Sequence, residues 1–352
     1  MSGSADGSAG RRPTVPTVHD VAMEAGVSPM TVSRVLSGGK HVRPELRARV
    51  EMAVAKLDYH RNENARSLRP GHRSGLIGVT ITNIANPYYA GMQLGIEEVA
   101  ALHARRILVG NSNEDPLRER QLVGDFIGRR VEGLIVVPSG GTDIDHLQPA
   151  ALGGVPMVFA SRSVPGIEVD TVLVDDVRGA FEATTTLLGE GHRRIAFLGN
   201  RLSVFTGQRR LEGFRLAHHR AGADVAEDLL RLGQQDVVSA QQAMTGLLTL
   251  PDPPTAVFTA NNRNTVGAIR AIAHHRSGGN GVHRAIPVRI FGFDSFELAD
   301  LSPVKLSIVD HDAGELGRRA ARMLFERLEG VGADVPPRLV ELPVSVEVRP
   351  RG

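Results

Sequence analysis

The sequence predicts an α/β fold class: a two-lobed, doubly wound body preceded by a small all-α head. Three observations carry this. From residue 75 onward, short apolar runs alternate with amphipathic stretches, the pattern of parallel sheets covered by helices on both faces. The alternation continues almost to the end of a 352-residue chain, more than one such sheet accommodates. Ahead of it, two short helical patterns meet at a glycine and a third follows.

The head comes first along the chain. Thr17 can cap a first helix whose apolar face is Val21, Ala22 and Ala25. Gly26 supplies the sharp turn and Val27 points inward, while Ser28 caps a second helix with Pro29 at its first position. Val32, Val35 and Leu36 recur at helical spacing and face the first helix. That leaves Pro29, Met30, Thr31, Ser33 and Arg34 outside, where short polar groups and one forked donor can reach base edges and phosphates in a DNA groove. An ordinary helical hairpin is the alternative this segment alone leaves open. A third helix, residues 44–57, carries Leu46, Val50, Ala53, Val54 and Leu57 on one side and completes a small core. Asn62 can then cap a short helix holding Ala65 and Leu68, a segment too short to persist alone in water. The organisation of the chain is then a disordered tail over 1–14, a helix-turn-helix domain over 15–60 and a short helix and linker over 61–74 ahead of a body over 75–352.

In the body, strand-like runs fall at 76–81, 106–109, 133–137, 157–160, 172–174, 194–198, 256–259 and 288–291. Helices lie between them. One starts near Pro87 and one at Asp115-Pro116, with aspartate as cap and proline first; others cover 179–190, 207–220, 239–250 and 265–275. Late strands near 306–309 and 340–342 are expected in crossovers between lobes and in the return of the chain.

Ligands of open parallel sheets bind beyond the carboxyl ends of strands. Tyr88 and Tyr89, two of the three tyrosines, follow the first strand, and a stacking platform or ordinary core packing would each explain them. Ser139 ends the third strand, and Arg162 follows the fourth, where a planar guanidinium could fork onto a polar ligand or a surface acid. Thr206 and Arg210 sit one turn apart at a helix start; Asn261 and Asp294 follow later strands.

The motifs Asp20-Val21-Ala22, Ala25-Gly26-Val27-Ser28, Thr31 through Leu36 and Asn62 through Leu68 stand in order before the first strand. In these the chain resembles the lactose/purine repressor (LacI/GalR) family of bacterial transcription regulators, over nearly its whole length. The resemblance implies the role of hinge for 61–74 and of effector binding and dimerisation for 75–352. It implies a body like periplasmic sugar-binding proteins, with an effector cleft between lobes lined by Tyr88, Tyr89, Thr206, Arg210, Asn261 and Asp294. It implies that Leu68 wedges into the minor groove at the centre of the operator, with Ala65 allowing close approach. Arg34 is the expected bidentate base contact, with Thr31 and Met30 making shorter ones; Thr17, Ser33, Ser37 and His41 are expected on phosphates. One module this small buries too little for tight specific binding, so a homodimer on a near-palindrome is expected. The chain departs from the family at Asn262, Arg263, Asn264 and Ser295, where acids or apolar residues are usual, which puts the identity of the effector in doubt.

Composition agrees with this reading. Net charge is only +2, but residues 1–75 hold 12 Lys and Arg against 7 acids, and the remainder 29 against 32. A basic head on a faintly acidic body suits phosphate contact by the head alone. The absence of cysteine excludes disulfides and thiolate metal sites and fits a reducing cytoplasm. The first residues lack the apolar core of a signal peptide, and no apolar run approaches the ~20 residues of a membrane helix. Adjacent histidines at 218–219 and 274–275 point to different sides of a helix and make no metal site alone. Neither a phosphate-cradling Gly-Lys-Ser/Thr loop nor a nucleophile elbow is present, so no catalytic residue and no cofactor is expected. Other readings differ in what they require: an exported sugar-binding protein needs a signal and no head, a sugar enzyme needs a catalytic constellation, and an activator differs from a repressor only in operator position.

Overall fold

A computed structural model describes residues 16–38, 42–59, 74–141, 143–277, 287–332 and 335–347. The chain divides into two compact units, residues 1–73 and residues 74–352. In the first, α1 (Val18–Ala25) begins with a capping box. The Asp20 amide reaches the Thr17 hydroxyl at 3.3 Å, and the Thr17 amide donates to the Asp20 carboxylate at 2.7 Å. Gly26 ends the helix in the left-handed region (φ 58°), a conformation that costs any residue with a Cβ. The turn is fixed from outside as well, because Arg49 donates to the Gly26 carbonyl at 3.0 Å. Ser28 caps α2 (Pro29–Leu36) by accepting from the Thr31 amide, and α3 (Pro44–Lys56) closes the bundle. Val21, Ala22, Ala25, Val32, Val35, Val50 and Ala53 form the core, joined by Tyr59, which the sequence reading left outside it.

In the second unit the elements run β1 (Leu76–Ile81), α4 (Pro87–Leu102), β2 (Arg106–Asn111), α5 (Pro116–Gly128), β3 (Gly133–Val136), β4 (Met157–Ala160) and β5 (Asp170–Val174). Then follow α6 (Asp176–Gly189), β6 (Ile195–Gly199), α7 (Phe205–Arg220), β7 (Leu230–Leu232), α8 (Val237–Leu248), β8 (Ala256–Thr259), α9 (Asn262–Ser277) and β9 (Arg289–Phe293). The last are β10 (Leu306–Asp310), α10 (Ala313–Leu328), β11 (Leu339–Leu342) and β12 (Ser345–Glu347). They build two six-stranded sheets, in the orders β11-β5-β4-β3-β1-β2 and β12-β10-β9-β8-β6-β7. Every pairing is parallel except that of β12 with β10. The central strands β3, β4, β8 and β9 are buried at every residue, as sheets covered on both faces require.

One strand expectation is corrected. The run near 306–309 is an interior strand of the second sheet, flanked by β9 and β12, and not part of a crossover. The short edges β7 and β12 and the helix α10 were not foreseen. A three-residue edge strand carries too little periodicity to stand out from a loop.

The chain passes between lobes three times. After β5 of the first sheet, α6 packs on α7, β9 and β10 of the second; after β10 of the second, α10 packs on α4, β4 and β5 of the first. Asp175 and Asp312 cap these two helices at the passage, and β11 and β12 then add one edge to each sheet. Asp170 pins the return, its carboxylate bound by Arg327 and Arg338, each at 2.8 Å.

Where α10 crosses α4, glycines let the backbones touch. A Cβ on Gly95 would lie 2.0 Å from the Gly314 carbonyl oxygen, and one on Gly317 would lie 2.0 Å from that of Met92. Neither partner is a flexible side chain, so both helices would have to separate. We expect Gly95→Ala to cost about 1–3 kcal/mol as overpacking, read as a lower urea midpoint. Gly124→Ala, on α5 with open space around it, should instead be neutral or stabilising by up to about 1 kcal/mol.

Candidate functional site

The body offers a cleft where the carboxyl ends of the two sheets meet, lined by residues of both lobes. Equivalent strands of the two lobes present it in the same way. Ser161 follows β4 and Asp294 follows β9, both with left-handed backbone (φ 66° and 65°). Their amides donate to Val172 and Val309 of the adjacent strand at 2.8 and 2.9 Å. Non-glycine residues rarely adopt this conformation, and such outliers gather at binding sites.

Two guanidiniums dominate the lining. Arg162 is buried and forks onto Glu114 at 2.7 and 2.8 Å, with further bonds to the Pro138 carbonyl and the Tyr89 hydroxyl. Arg210 is buried in the opposite lobe. Its Nε donates to Asp176 at 2.7 Å, its Nη atoms donate to Asp294 at 3.1 and 3.2 Å and to the Ala260 carbonyl at 2.5 Å, and its plane lies 3.7 Å over the Phe293 ring. His311 adds a bond to Asp294 at 3.2 Å. Burial alone would raise the Asp294 carboxyl, but the Arg210 charge and the His311 bond outweigh it and hold the pKa at about 2.

The expected residues divide clearly. Tyr88, Tyr89, Arg162, Thr206, Arg210, Asn261 and Asp294 all line this cleft. The tyrosines stand edge to face, 5.0 Å between centroids, and Tyr88 also meets His311 edge-on. Tyr89 is core as much as lining, since its hydroxyl already accepts from Thr82 and Arg162. Ser139 lies elsewhere and is corrected. Its hydroxyl stands 2.7 Å from that of Ser112 and 2.9 Å from the buried Glu119 carboxylate, a network inside the first lobe, and it is not among the residues lining the cleft. The sequence reading missed Glu114, Asn83, Asn86, Gln235 and Arg263, which also line the cleft. Glu114 had a signal in principle: it sits just ahead of the Asp115-Pro116 helix start, beyond the carboxyl end of β2.

The lobes touch across the mouth. Asn262 donates to the Asn86 side chain at 2.8 Å, and Arg263 donates to the Ala85 carbonyl at 3.2 Å. Both donors sit at the start of α9.

In the first unit, α2 presents Pro29, Met30 and Arg34 to solvent, with Met30 and Arg34 four residues apart and so on one face. Thr31 and Ser33 are half-buried, and the Thr31 hydroxyl bonds that of Ser28 at 2.9 Å. Thr17 and Ser37 are exposed, but their hydroxyls donate to Asp20 and to the Ser33 carbonyl at 2.7 and 2.6 Å. Any phosphate contact by either hydroxyl would have to share or exchange that bond. His41, Asn62, Ala65 and Leu68 lie outside the described residues.

Comparison with known proteins bears on both units. Residues 17–62 match the family described as bacterial regulatory proteins, lacI family, and residues 74–339 match periplasmic binding proteins and sugar binding domain of LacI family. The chain is 31% identical to the HTH-type transcriptional regulator GalS of Salmonella typhimurium, over 89% of its own length and 90% of that protein. It is 29% identical to catabolite control protein A of Priestia megaterium, over 95% and 98%. Among solved structures it resembles the lac repressor dimer bound to operator and the anti-inducer ONPF, at 26% identity with a TM-score of 0.78, covering 95% of this chain and 98% of that one.

The Asp294–Arg210 pair has a pH signature. Because the folded pKa is depressed, its contribution is fully present above about pH 4, the unfolded value, and is lost as pH falls toward 2. Asp294→Asn should lower stability by about 3 kcal/mol at neutral pH. The difference from the parent should shrink through that acid window in chemical unfolding at stepped pH.

Proposed function

The chain belongs to the lacI family of bacterial regulatory proteins, and on that premise we propose that it is a transcriptional repressor. In this reading it binds a near-palindromic operator as a homodimer and answers to a small polar effector, of sugar type, in the cleft of its body. Residues 15–60 are the DNA-binding domain, 61–74 the hinge, and 75–352 the body that senses the effector and dimerises. The observation that carries it is the solvent face of α2, where Arg34 stands exposed with no ion pair among the described residues, in a helix whose other face is locked in a core.

A forked donor on such a helix can bond the O6 and N7 of a guanine at once. The cleft supports the other half of the reading. Arg162 and Arg210 are already fixed by Glu114, Asp176 and Asp294, so a polyol entering between the lobes meets donors and acceptors that need no reordering. A ligand that prefers one arrangement of the lobes shifts operator affinity by its differential affinity alone, about 1–3 kcal/mol in typical cases. The relatives are regulators by name, and no catalysis is assigned. No described helix is long and apolar enough to cross a membrane, and the proposed place of work is the cytoplasm, with the DNA.

Binding of selected genomic fragments, measured by fluorescence anisotropy at moderate salt, tests this. Arg34→Ala is expected to cost about 1–3 kcal/mol on the preferred sequence while leaving affinity for random duplex nearly unchanged. An equal loss on every duplex would remove the base-reading role, and no sequence preference in the parent protein would remove the repressor reading itself.

A further inference from the structure

Of the three guanidiniums that line the cleft, two are ion-paired within their own lobes: Arg162 with Glu114, and Arg210 with both Asp176 and Asp294. Arg263 is the exception. Among the described residues no carboxylate lies within ion-pair distance of it, and its one hydrogen bond goes to a neutral backbone carbonyl, that of Ala85. Its Nε is out of contact with water yet has no acceptor. A buried, unpaired N–H on a charged group is costly, and an arriving oxyanion would relieve it. The carboxylate of Asp236 feels this charge but is already bound to the amide and hydroxyl of Ser239.

The surroundings favour the same sign of charge. Three helices begin at the cleft: α4 with Tyr88, α7 with Thr206 and Gly207, and α9 with Arg263 itself. Helix N-termini carry partial positive charge and unsatisfied amides. That of α7 has no side-chain cap, since Val204 stands at the capping position.

We propose that the effector carries an anionic group, a carboxylate or a phosphate, and that Arg263 is the residue that reads it. The inference rests on the reading of the cleft as an effector site. The hydroxyl-bearing part of the ligand lies among Arg162, Asp294 and Asn261, and the oxyanion pairs with the Arg263 guanidinium where it lines the mouth. Because Arg263 already reaches across to Ala85, an anion bound there sits where the two lobes meet and favours their closed arrangement.

Titration calorimetry on the full chain tests this with matched triplets of a neutral sugar, its aldonate and its terminal phosphate: glucose, gluconate and glucose 6-phosphate, and the corresponding ribose and galactose series. In the series that binds, an anionic member should bind at least ten-fold more tightly than the neutral one, and the aldonate and phosphate arms tell the two groups apart. Arg263→Gln should abolish that preference, so that the neutral and anionic members of a series bind alike, and Arg263→Lys should keep part of it. A neutral sugar that binds as tightly as its anionic partners, or a preference that survives Arg263→Gln, overturns the inference while leaving the cleft a sugar site. Binding by no member of any series overturns both.

Discussion

A guanidinium out of water has to be paired, and much of the second lobe is arranged to pair one. Arg210 rises from α7, yet its partners come from three other places: Asp176 at the start of α6, the Ala260 carbonyl after β8, and Asp294 after β9. Satisfying it fixes all three relative to α7. The positions of Thr206, Asn261 and Asp294 in the cleft follow from that single requirement. Asp294 makes its two bonds to Arg210 from a left-handed backbone position just after β9. A charge buried this deeply contributes little net stability, since its desolvation offsets most of its attraction. What it contributes is a cleft wall with one geometry.

The first lobe solves the matching problem with fewer parts. Arg162 is held by Glu114, the Pro138 carbonyl and the Tyr89 hydroxyl, all of that lobe. Each wall is thus held by bonds within its own lobe, and the lobes are bridged by the Asn262–Asn86 amide pair, by Arg263 on the Ala85 carbonyl and by the ion pair of Arg209 with Glu341 of β11 at 3.1 Å.

Much of this was legible in the residues. The caps at Thr17, Ser28 and Asp115 and the apolar runs of the central strands are local signals, and the structure places the elements where they indicate, within a few residues. The residues at strand ends were legible because a parallel sheet exposes those ends to ligand. What escaped was non-local. Ser139 ends a strand just as Arg162 does, but Glu119, buried and twenty residues away in sequence, claims its hydroxyl. Nothing in the local pattern announces that. Tyr59 was missed as core for a related reason, since it follows the last helix of the head and periodicity stops there. Arg263 stood out only as an unexpected residue in a familiar loop, and its lack of an acid partner could be seen only once the lobes were folded together.

The passage of the chain back and forth between lobes also bears on how the molecule is made. Neither lobe is a continuous stretch of message. The first sheet lacks its outer strand and the helix that covers α4 until residues 313–342 have been synthesised. A ribosome that has delivered the first half of the chain therefore holds an incomplete layer with an open edge and an uncovered apolar face. Such a nascent chain would be a natural client for chaperones until translation is nearly finished.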